Sequence, residues 1–544
     1  MTDRSDIETS NSARAAMTDS AVAVAVARPA TAIGVATAVS RLAGFCRVLV
    51  VAAVLGTTEL GDTFFASNAV SNALFDLLAA GALSSALVPS FVELLDSKRS
   101  DEAEHLAGFI LGVALVALGV VAALGVAAAP LLARLLTSGV DAQGVDRQRE
   151  LATFLLRLFI PQLLLYALGA VSMAVLHAKR RFVAAAVAPI GNTVVMVGFI
   201  LLFQALRSDG SAAPVSSLPE RLSLGAAGTL GVAAFVGIPA LALRRSGFRL
   251  RPRLRGSREL ALRALRISAW AGLQQAGAGL LLGVALVAAM PISGATVAYQ
   301  VAFACFLVPY AVLAQPILSA VLPELSSRAA GREHGAFADA VRWSLRRMAA
   351  LTLPATAAGV ALAPHVGRLV SFGDSAGAGS NLIANALAAL SLGLYPYGAF
   401  LLLARASYAL GDGRSPALAA ISASVASSVG LLAVAGRIDG SARLLAIGLA
   451  HGGAYLLAGL MLLRRLEGRL GARLLPSSGL VGAALSGLGV ALGARLVVDA
   501  LSPASRLELV ASLAGVGGAG AALLFRLDRR RGGGGRFGWR GAKR

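Results

Sequence analysis

Apolar stretches long enough to cross a lipid bilayer recur along almost the whole of this 544-residue chain. A spanning helix needs about 20 mostly apolar residues, and we place about fourteen such spans. They cover roughly residues 31–56, 63–94, 106–133, 151–177, 182–206, 222–243, 264–290, 294–323, 345–370, 382–408, 416–436, 442–463, 477–500 and 507–526. Only 14% of the residues are charged, against about 25% in a typical soluble protein. The pattern predicts an all-α polytopic membrane protein and excludes a soluble enzyme.

Basic residues alternate between the loops in a way that orients the spans. Cytoplasmic loops of membrane proteins are enriched in Lys and Arg. With a cytoplasmic N-terminus, 36 of the 49 basic residues fall on the cytoplasmic side. We therefore expect a multi-pass protein of a bacterial cytoplasmic membrane with both termini in the cytoplasm. The net charge of +21 is spread over short loops, so we expect no nucleic-acid partner.

The longest basic linker divides the spans into two groups. Nine arginines lie between Arg244 and Arg266, after the sixth span. Two equal halves are common in transporters that alternate access, and we predict two six-helix bundles followed by two C-terminal helices. The expected units are a disordered cytoplasmic tail (1–30), a first bundle (31–243), the linker (244–263), a second bundle (264–463), a two-helix segment (464–526) and a basic tail (527–544).

Signatures of enzymes and metal sites are missing from the sequence. The five histidines are scattered, there is no HExxH motif and no Walker A motif, and Cys46 and Cys305 lie far apart within apolar runs. We expect no catalytic residues, no bound metal and no cofactor. Transport by such a chain would draw on the membrane potential or an ion gradient.

Polar side chains inside the spans mark the candidate substrate site. Ionisable groups in hydrocarbon are costly, so they usually face a cavity or a partner. The candidates are Arg41 and Arg47 on span 1, Asp62, Asn68, Asn72 and Asp76 at the start and along one stripe of span 2, and Gln275 and Gln300 on spans 7 and 8. One interpretation is a hydrated cationic cavity for an anionic substrate. The other is internal pairing, in which Asp76 neutralises Arg41 or Arg47 and only joins two helices.

Several motifs resemble those of the MurJ/MviN family. They are Ser40-Arg41-Leu42-Ala43-Gly44-Phe45-Cys46-Arg47, Gly61-Asp62-Thr63-Phe64-Phe65, Gly81 to Pro89, Arg180-Arg181-Phe182 with Ala188 to Asn192, Leu322 to Ser326, and Ala404 to Asp412 with Arg414-Ser415-Pro416. The resemblance runs from about residue 31 to residue 526. It implies a flippase that moves lipid II, the undecaprenyl-diphosphate-linked peptidoglycan precursor, across the membrane for cell-wall synthesis. It also implies that Arg41, Arg47 and Asp62 occupy functional positions, and that the last two helices form a groove for the lipid tail.

Some cavity positions depart from the family pattern. Family members usually carry further basic residues on span 2, where this chain has Phe75 and Asp76, and an Arg on span 8, where the stretch around Phe303 is uncharged. Two alternatives therefore stay open. One is a diverged, non-transporting scaffold that assists other cell-wall synthesis proteins, and the other is a flippase or exporter of another polyprenyl-linked glycan or a drug. Lipid-linked precursor and membrane lipids are the expected partners.

Overall fold

A computed structural model describes residues 36–75, 87–141, 144–207, 217–256, 258–475, 480–501 and 505–530, and throughout these ranges the regular structure is helical. The helices, in chain order, are α1 (Ala36–Leu55), α2 (Glu59–Phe75), α3 (Leu87–Asp96), α4 (Ser100–Ala127), α5 (Ala129–Leu136), α6 (Val145–Phe159), α7 (Gln162–Ala178), α8 (Phe182–Leu206), α9 (Leu218–Arg245), α10 (Arg258–Ala289), α11 (Ala295–Pro309), α12 (Gln315–Ala330), α13 (His334–Ala361), α14 (Ala363–Val370), α15 (Ala378–Ser391), α16 (Leu394–Ala409), α17 (Arg414–Ala435), α18 (Gly440–Leu470), α19 (Leu480–Leu501) and α20 (Arg506–Arg530). The all-α membrane fold is confirmed.

The helices match the predicted spans in position. In the described part of the chain, ten helices are long and apolar enough to cross a membrane, and two bent helix pairs raise the number to as many as twelve. Large apolar side chains such as Val194 and Leu131 stay about two-thirds exposed, as expected where lipid replaces water. Two predicted spans are not in this number: the second, whose residues 76–86 lie outside the described residues, and the last, at α20. The count of fourteen therefore stays a prediction.

Proline residues flank a distortion of the eighth span. A π-helical turn, Tyr310–Ala314, separates α11 from α12 and lies between Pro309 and Pro316. Proline removes a backbone donor and clashes with the preceding turn, so the regular hydrogen-bond ladder cannot continue through it. The Tyr310 side chain, which belongs to this turn, is buried in the apolar cluster of the second half of the protein.

Buried apolar residues cluster both within the halves of the chain and across them. One cluster joins α4, α6 and α7, another joins α11, α13, α16 and α18, and a third joins α1, α2 and α6 with α11. Helix α2 contacts α10 and α11 across the boundary between the halves. The C-terminal helix α19 packs along α13, and α20 packs on α19. The basic linker is shorter than predicted, because its outer arginines continue α9 to Arg245 and begin α10 at Arg258. The division into two bundles stays a prediction.

Candidate substrate cavity

A cavity of about 270 Å³ lies between helices of the second half, and Ala73 on α2 also lines it. Its polar wall contains Gln274, Gln275 and Gln300, so two of the predicted site residues do line it. Its apolar wall contains Phe303, Tyr397, Phe400 and Tyr455. Amide groups beside aromatic faces can bind neutral hydroxyl and amide groups of a ligand while excluding bulk water.

Aromatic side chains and one histidine, His451, form part of the wall of this cavity. The hydroxyl of Tyr299 and Nδ1 of His451 are 2.9 Å apart, within hydrogen-bond distance, and both residues are buried. The Nε2 atom of His451 is buried and has no partner among the described residues. The ring of Tyr455 lies 5.3 Å from the His451 ring. His451 and Tyr455 were not predicted as site residues, and the signal for them in the sequence is a polar ring within an otherwise apolar span.

Arg47 and Asn72 lie together on the first half of the protein. The hydroxyl of Tyr166, on α7, donates a hydrogen bond of 2.8 Å to Oδ1 of Asn72. Arg47 is half-buried and interacts electrostatically with the same tyrosine. The predicted residues on α1 and α2 are therefore joined through a tyrosine that sequence spacing did not reveal.

Arg41 faces the second half instead. Tyr310 interacts electrostatically with both Arg41 and Arg405, and its hydroxyl donates to Oε1 of Gln315 at 2.7 Å. Arg405 lies one turn before the end of α16, is half-buried and is not among the predicted site residues. A third arginine therefore lies within electrostatic range of Tyr310, on a helix that was not expected to supply one.

Asp62 is fully buried and binds the beginning of α11. Its Oδ2 accepts a hydrogen bond from the backbone amide of Gly294 at 2.6 Å, and its Oδ1 accepts one from Val297 at 3.0 Å. These amides belong to the first turn of a helix, which lacks internal partners and carries partial positive charge. Asp62 therefore joins α2 to α11, and its predicted contact with substrate remains a prediction.

The end of the protein that contains Asp62 is tightly packed, and by the predicted topology it is the external end. A Cβ atom added to Gly294 would lie 2.4 Å from the carbonyl oxygen of Thr57, and one added to Gly373 would lie 2.4 Å from that of Ala53. Both glycines also have positive φ values, 81° and 61°. Such close backbone approach between the halves closes this end to a ligand.

The remaining predicted site residues are less informative. Asn68 is half-buried on α2. Asp76 lies outside the described residues, so its pairing with Arg41 or Arg47 stays a prediction. Among the described residues, no group of three or more His, Cys, Asp or Glu side chains is arranged to hold a metal ion.

A second, mostly apolar cavity of about 320 Å³ lies where the C-terminal helices meet α13. It is lined by Leu351 and Pro354 of α13, Val490 of α19 and Val516 of α20, and Arg347 stands on its wall. The resemblance implies a lipid-tail groove at the last two helices, and a cavity of this character occurs there.

Comparison with known proteins identifies the family. A family model described as "Lipid II flippase MurJ" matches residues 51–505, which is most of the chain. The chain belongs to the MurJ family. A probable lipid II flippase MurJ of Rhizobium tropici is 28% identical over 403 residues, 74% of each chain. Another, of Rhizobium meliloti, is 28% identical over 407 residues, 73% of this chain and 74% of the relative.

Solved structures agree with MurJ membership at the level of the fold. "Lipid II flippase MurJ, inward closed conformation" superposes with a TM-score of 0.71 at 17% identity, covering 91% of this chain and 98% of that one. An inward-facing MATE family transporter of the MOP superfamily gives 0.63 at 16% identity, covering 79% and 94%. An outward-facing one gives 0.52 at 14% identity, covering 81% and 96%.

Proposed function

We propose that this protein moves lipid II, the undecaprenyl-diphosphate-linked peptidoglycan precursor, from the cytoplasmic to the outer leaflet of a bacterial membrane by alternating access. The observation that carries the proposal is the match of residues 51–505 to the lipid II flippase MurJ family. The role of the protein is then transport for cell-wall synthesis, without a chemical change to the substrate.

Three arginines suit a diphosphate. Arg41 and Arg405 interact electrostatically with Tyr310, and Arg47, on α1 like Arg41, interacts with Tyr166. Guanidinium groups bind phosphate oxygens through paired, charge-assisted hydrogen bonds, which strengthen where water is excluded. The glutamines and aromatic rings of the cavity suit the uncharged sugar and peptide groups that follow the diphosphate.

The size of the cavity supports a cycle between two conformations. Pockets that enclose a drug-sized ligand usually have ~300–1,000 Å³, whereas this one has about 270 Å³. A disaccharide with a peptide is larger than such a ligand, so loading requires the halves to separate and widen the cavity. Release on the other side requires the packed end around Asp62 to open.

We also propose that the cycle uses the membrane potential or an ion gradient and needs no cofactor. Moving one elementary charge through 100 mV changes the free energy by about 2.3 kcal/mol. In proteoliposomes, a potassium diffusion potential would change the rate of precursor transfer, and an ionophore that removes it would cancel the change. An equal rate with and without potential and ion gradients would contradict this part of the proposal.

Depletion in cells provides the main test. A strain whose only flippase is this protein is depleted of it, and a membrane-impermeant enzyme then measures how much precursor is exposed on the outer leaflet. We expect exposure to fall, and Arg41→Ala and Arg47→Ala each to restore it roughly ten- to a hundredfold less well than the wild type. That range follows from about 1.5–3 kcal/mol for a hydrogen bond to a charged group.

Arg157→Ala is the matched control, because Arg157 also lies within a span, is exposed on α6 and is not one of the predicted site residues. It should restore exposure fully. If the Arg41 and Arg47 variants restore growth and exposure like the wild type, while loop deletions do not, the protein is a scaffold. If precursor exposure is normal without the protein, it carries another polyprenyl-linked glycan or a drug.

A further inference from the structure

The basic linker between α9 and α10 is docked onto the first half of the protein. We call residues 246–256 the strap. The backbone amide of Arg253 donates to the carbonyl of Gly108 at 2.9 Å, and that of Arg249 donates to Oε1 of Glu104 at 2.7 Å. A Cβ atom added to Gly112 would lie 2.1 Å from the carbonyl oxygen of Arg253. The strap therefore lies directly on α4 and is fixed along its length.

A cavity of about 690 Å³ lies between the strap, α7 and α9, outside the central cavity. Its apolar wall is formed by Leu168, Ala240, Leu243, Phe248 and Leu250. Three exposed arginines, Arg244, Arg249 and Arg251, also line the cavity. The cavity thus combines apolar side chains with exposed cations at the predicted cytoplasmic surface of the membrane.

One polar atom inside this cavity lacks a partner. Ser172 lines the cavity from α7 and is fully buried, and its Oγ atom makes no hydrogen bond to any residue that the structure describes. A buried hydroxyl without a partner costs about 1–3 kcal/mol. A ligand with an acceptor oxygen at this depth would remove that cost.

Lys179 adds a fourth cation beside the strap. Its ammonium group donates to Oγ of Ser246 at 3.2 Å and lies 5.1 Å from the ring centre of Phe248. Partial burial, and then the nearby Arg181, lowers the pKa of Lys179 below its ordinary value. The nearby carboxylate of Glu104 acts in the opposite sense.

We propose that this cavity binds an anionic phospholipid, with the headgroup phosphate among Arg244, Arg249 and Arg251, Ser172 as a hydroxyl donor, and an acyl chain against Leu168 and Ala240. Basic pockets between helices on the cytoplasmic side suit anionic headgroups. The apolar wall favours a lipid over a free phosphate ion, because an inorganic ion would leave that surface without a partner. The bound lipid would tie the strap, and with it the connection between the halves, to the membrane.

Binding of defined lipids to the purified full-length protein tests this proposal. Thermal unfolding in a neutral detergent is followed while short-chain phosphatidylglycerol, short-chain phosphatidylcholine or inorganic phosphate is added. We expect saturable stabilisation by phosphatidylglycerol alone. Stabilisation by inorganic phosphate at the same concentrations would overturn the lipid assignment, and equal stabilisation by phosphatidylcholine would overturn the role of the arginines.

Variants locate the site. The combined Arg244→Gln, Arg249→Gln and Arg251→Gln variant should bind phosphatidylglycerol roughly a hundredfold more weakly, from about 1 kcal/mol for each basic residue. Ser172→Ala should weaken binding roughly fivefold, the value of about 1 kcal/mol for one hydrogen bond.

The matched control replaces three exposed arginines elsewhere, Arg332, Arg346 and Arg464. It should leave affinity within about twofold, because screening confines such charges to short range. If the control weakens binding as much as the strap variant, the attraction is non-specific and the proposal fails. The corresponding Arg→Lys variants should keep most of the affinity, which separates lost charge from misfolding. Because binding is measured without transport, failure here is distinct from failure of the proposed flippase function.

Discussion

Replacing Asp62 should open the packed end of the protein. In the structure this carboxylate is fully buried and accepts hydrogen bonds of 2.6 and 3.0 Å from the first turn of α11. Asp62→Ala leaves both amides without that acceptor. Removing a side chain that caps a helix costs about 0.5–2 kcal/mol, and hydrogen bonds to charged groups are worth about 1.5–3 kcal/mol each.

Opening of this end removes part of that cost, because water can then solvate the two amides. We therefore expect a net loss of about 2 kcal/mol for the closed state, which is roughly a thirtyfold change in the ratio of closed to open molecules. Asp62→Asn keeps one acceptor oxygen and should show an intermediate effect.

Cysteine labelling can measure this ratio. Ala298→Cys, in a chain whose Cys46 and Cys305 are replaced by Ser, puts a thiol at a fully buried position of the packed end, beside Val51 and Leu55. A membrane-impermeant maleimide added from outside should react roughly thirtyfold faster in the Asp62→Ala protein.

Asp439→Ala is the matched control. Asp439 is also an aspartate at the beginning of a helix, α18, but its side chain is 96% exposed. Its labelling rate should equal that of the parent protein. If Asp62→Ala is well folded by thermal unfolding and still labels at the parent rate, the carboxylate does not hold this end closed.

Two further substitutions test the strap and a helix start. Gly112→Ala should push the backbone of Arg253 away and lower the free energy of unfolding by about 1–3 kcal/mol, whereas Gly119→Ala on the same helix has room and should be neutral or stabilising; thermal unfolding separates them. Asp412 accepts hydrogen bonds from the amide and hydroxyl of Ser415, so Asp412→Ala should cost about 1 kcal/mol at neutral pH. Burial alone would raise the pKa of Asp412, but those hydrogen bonds and two nearby arginines outweigh burial and lower it. The stabilisation should therefore be complete above the ordinary pKa and disappear as pH falls through the lowered one, which unfolding measured across acidic pH can follow.

The positions of the helices follow from the sequence because helices are local structures. A run of about 20 apolar residues must satisfy its own backbone hydrogen bonds in lipid, so hydropathy alone places it. The same holds for the distortion between Pro309 and Pro316, since proline acts on its own turn. The exact helix ends were less predictable. Helix α9 continues to Arg245 and α10 begins at Arg258, so both helices extend beyond the predicted apolar spans.

Contacts between distant helices could not be read from spacing. Helical periodicity places Arg41 and Arg47 on different faces of α1, but it does not say that one approaches Tyr310 and the other Tyr166. Arg405 lies near the end of a predicted span, and it comes within electrostatic range of Tyr310 only because α16 packs beside the π-helical turn.

The sequence by itself determined that this protein lies in a membrane, where its helices are and to which family it belongs. The length of an apolar run and a local motif are properties of neighbouring residues. Only the tertiary structure decided that Asp62 binds a helix start 232 residues away, and that a loop of arginines lies on α4 over a cavity. Those outcomes depend on how helix surfaces pack in three dimensions, where the separation of two residues along the chain no longer sets the distance between them.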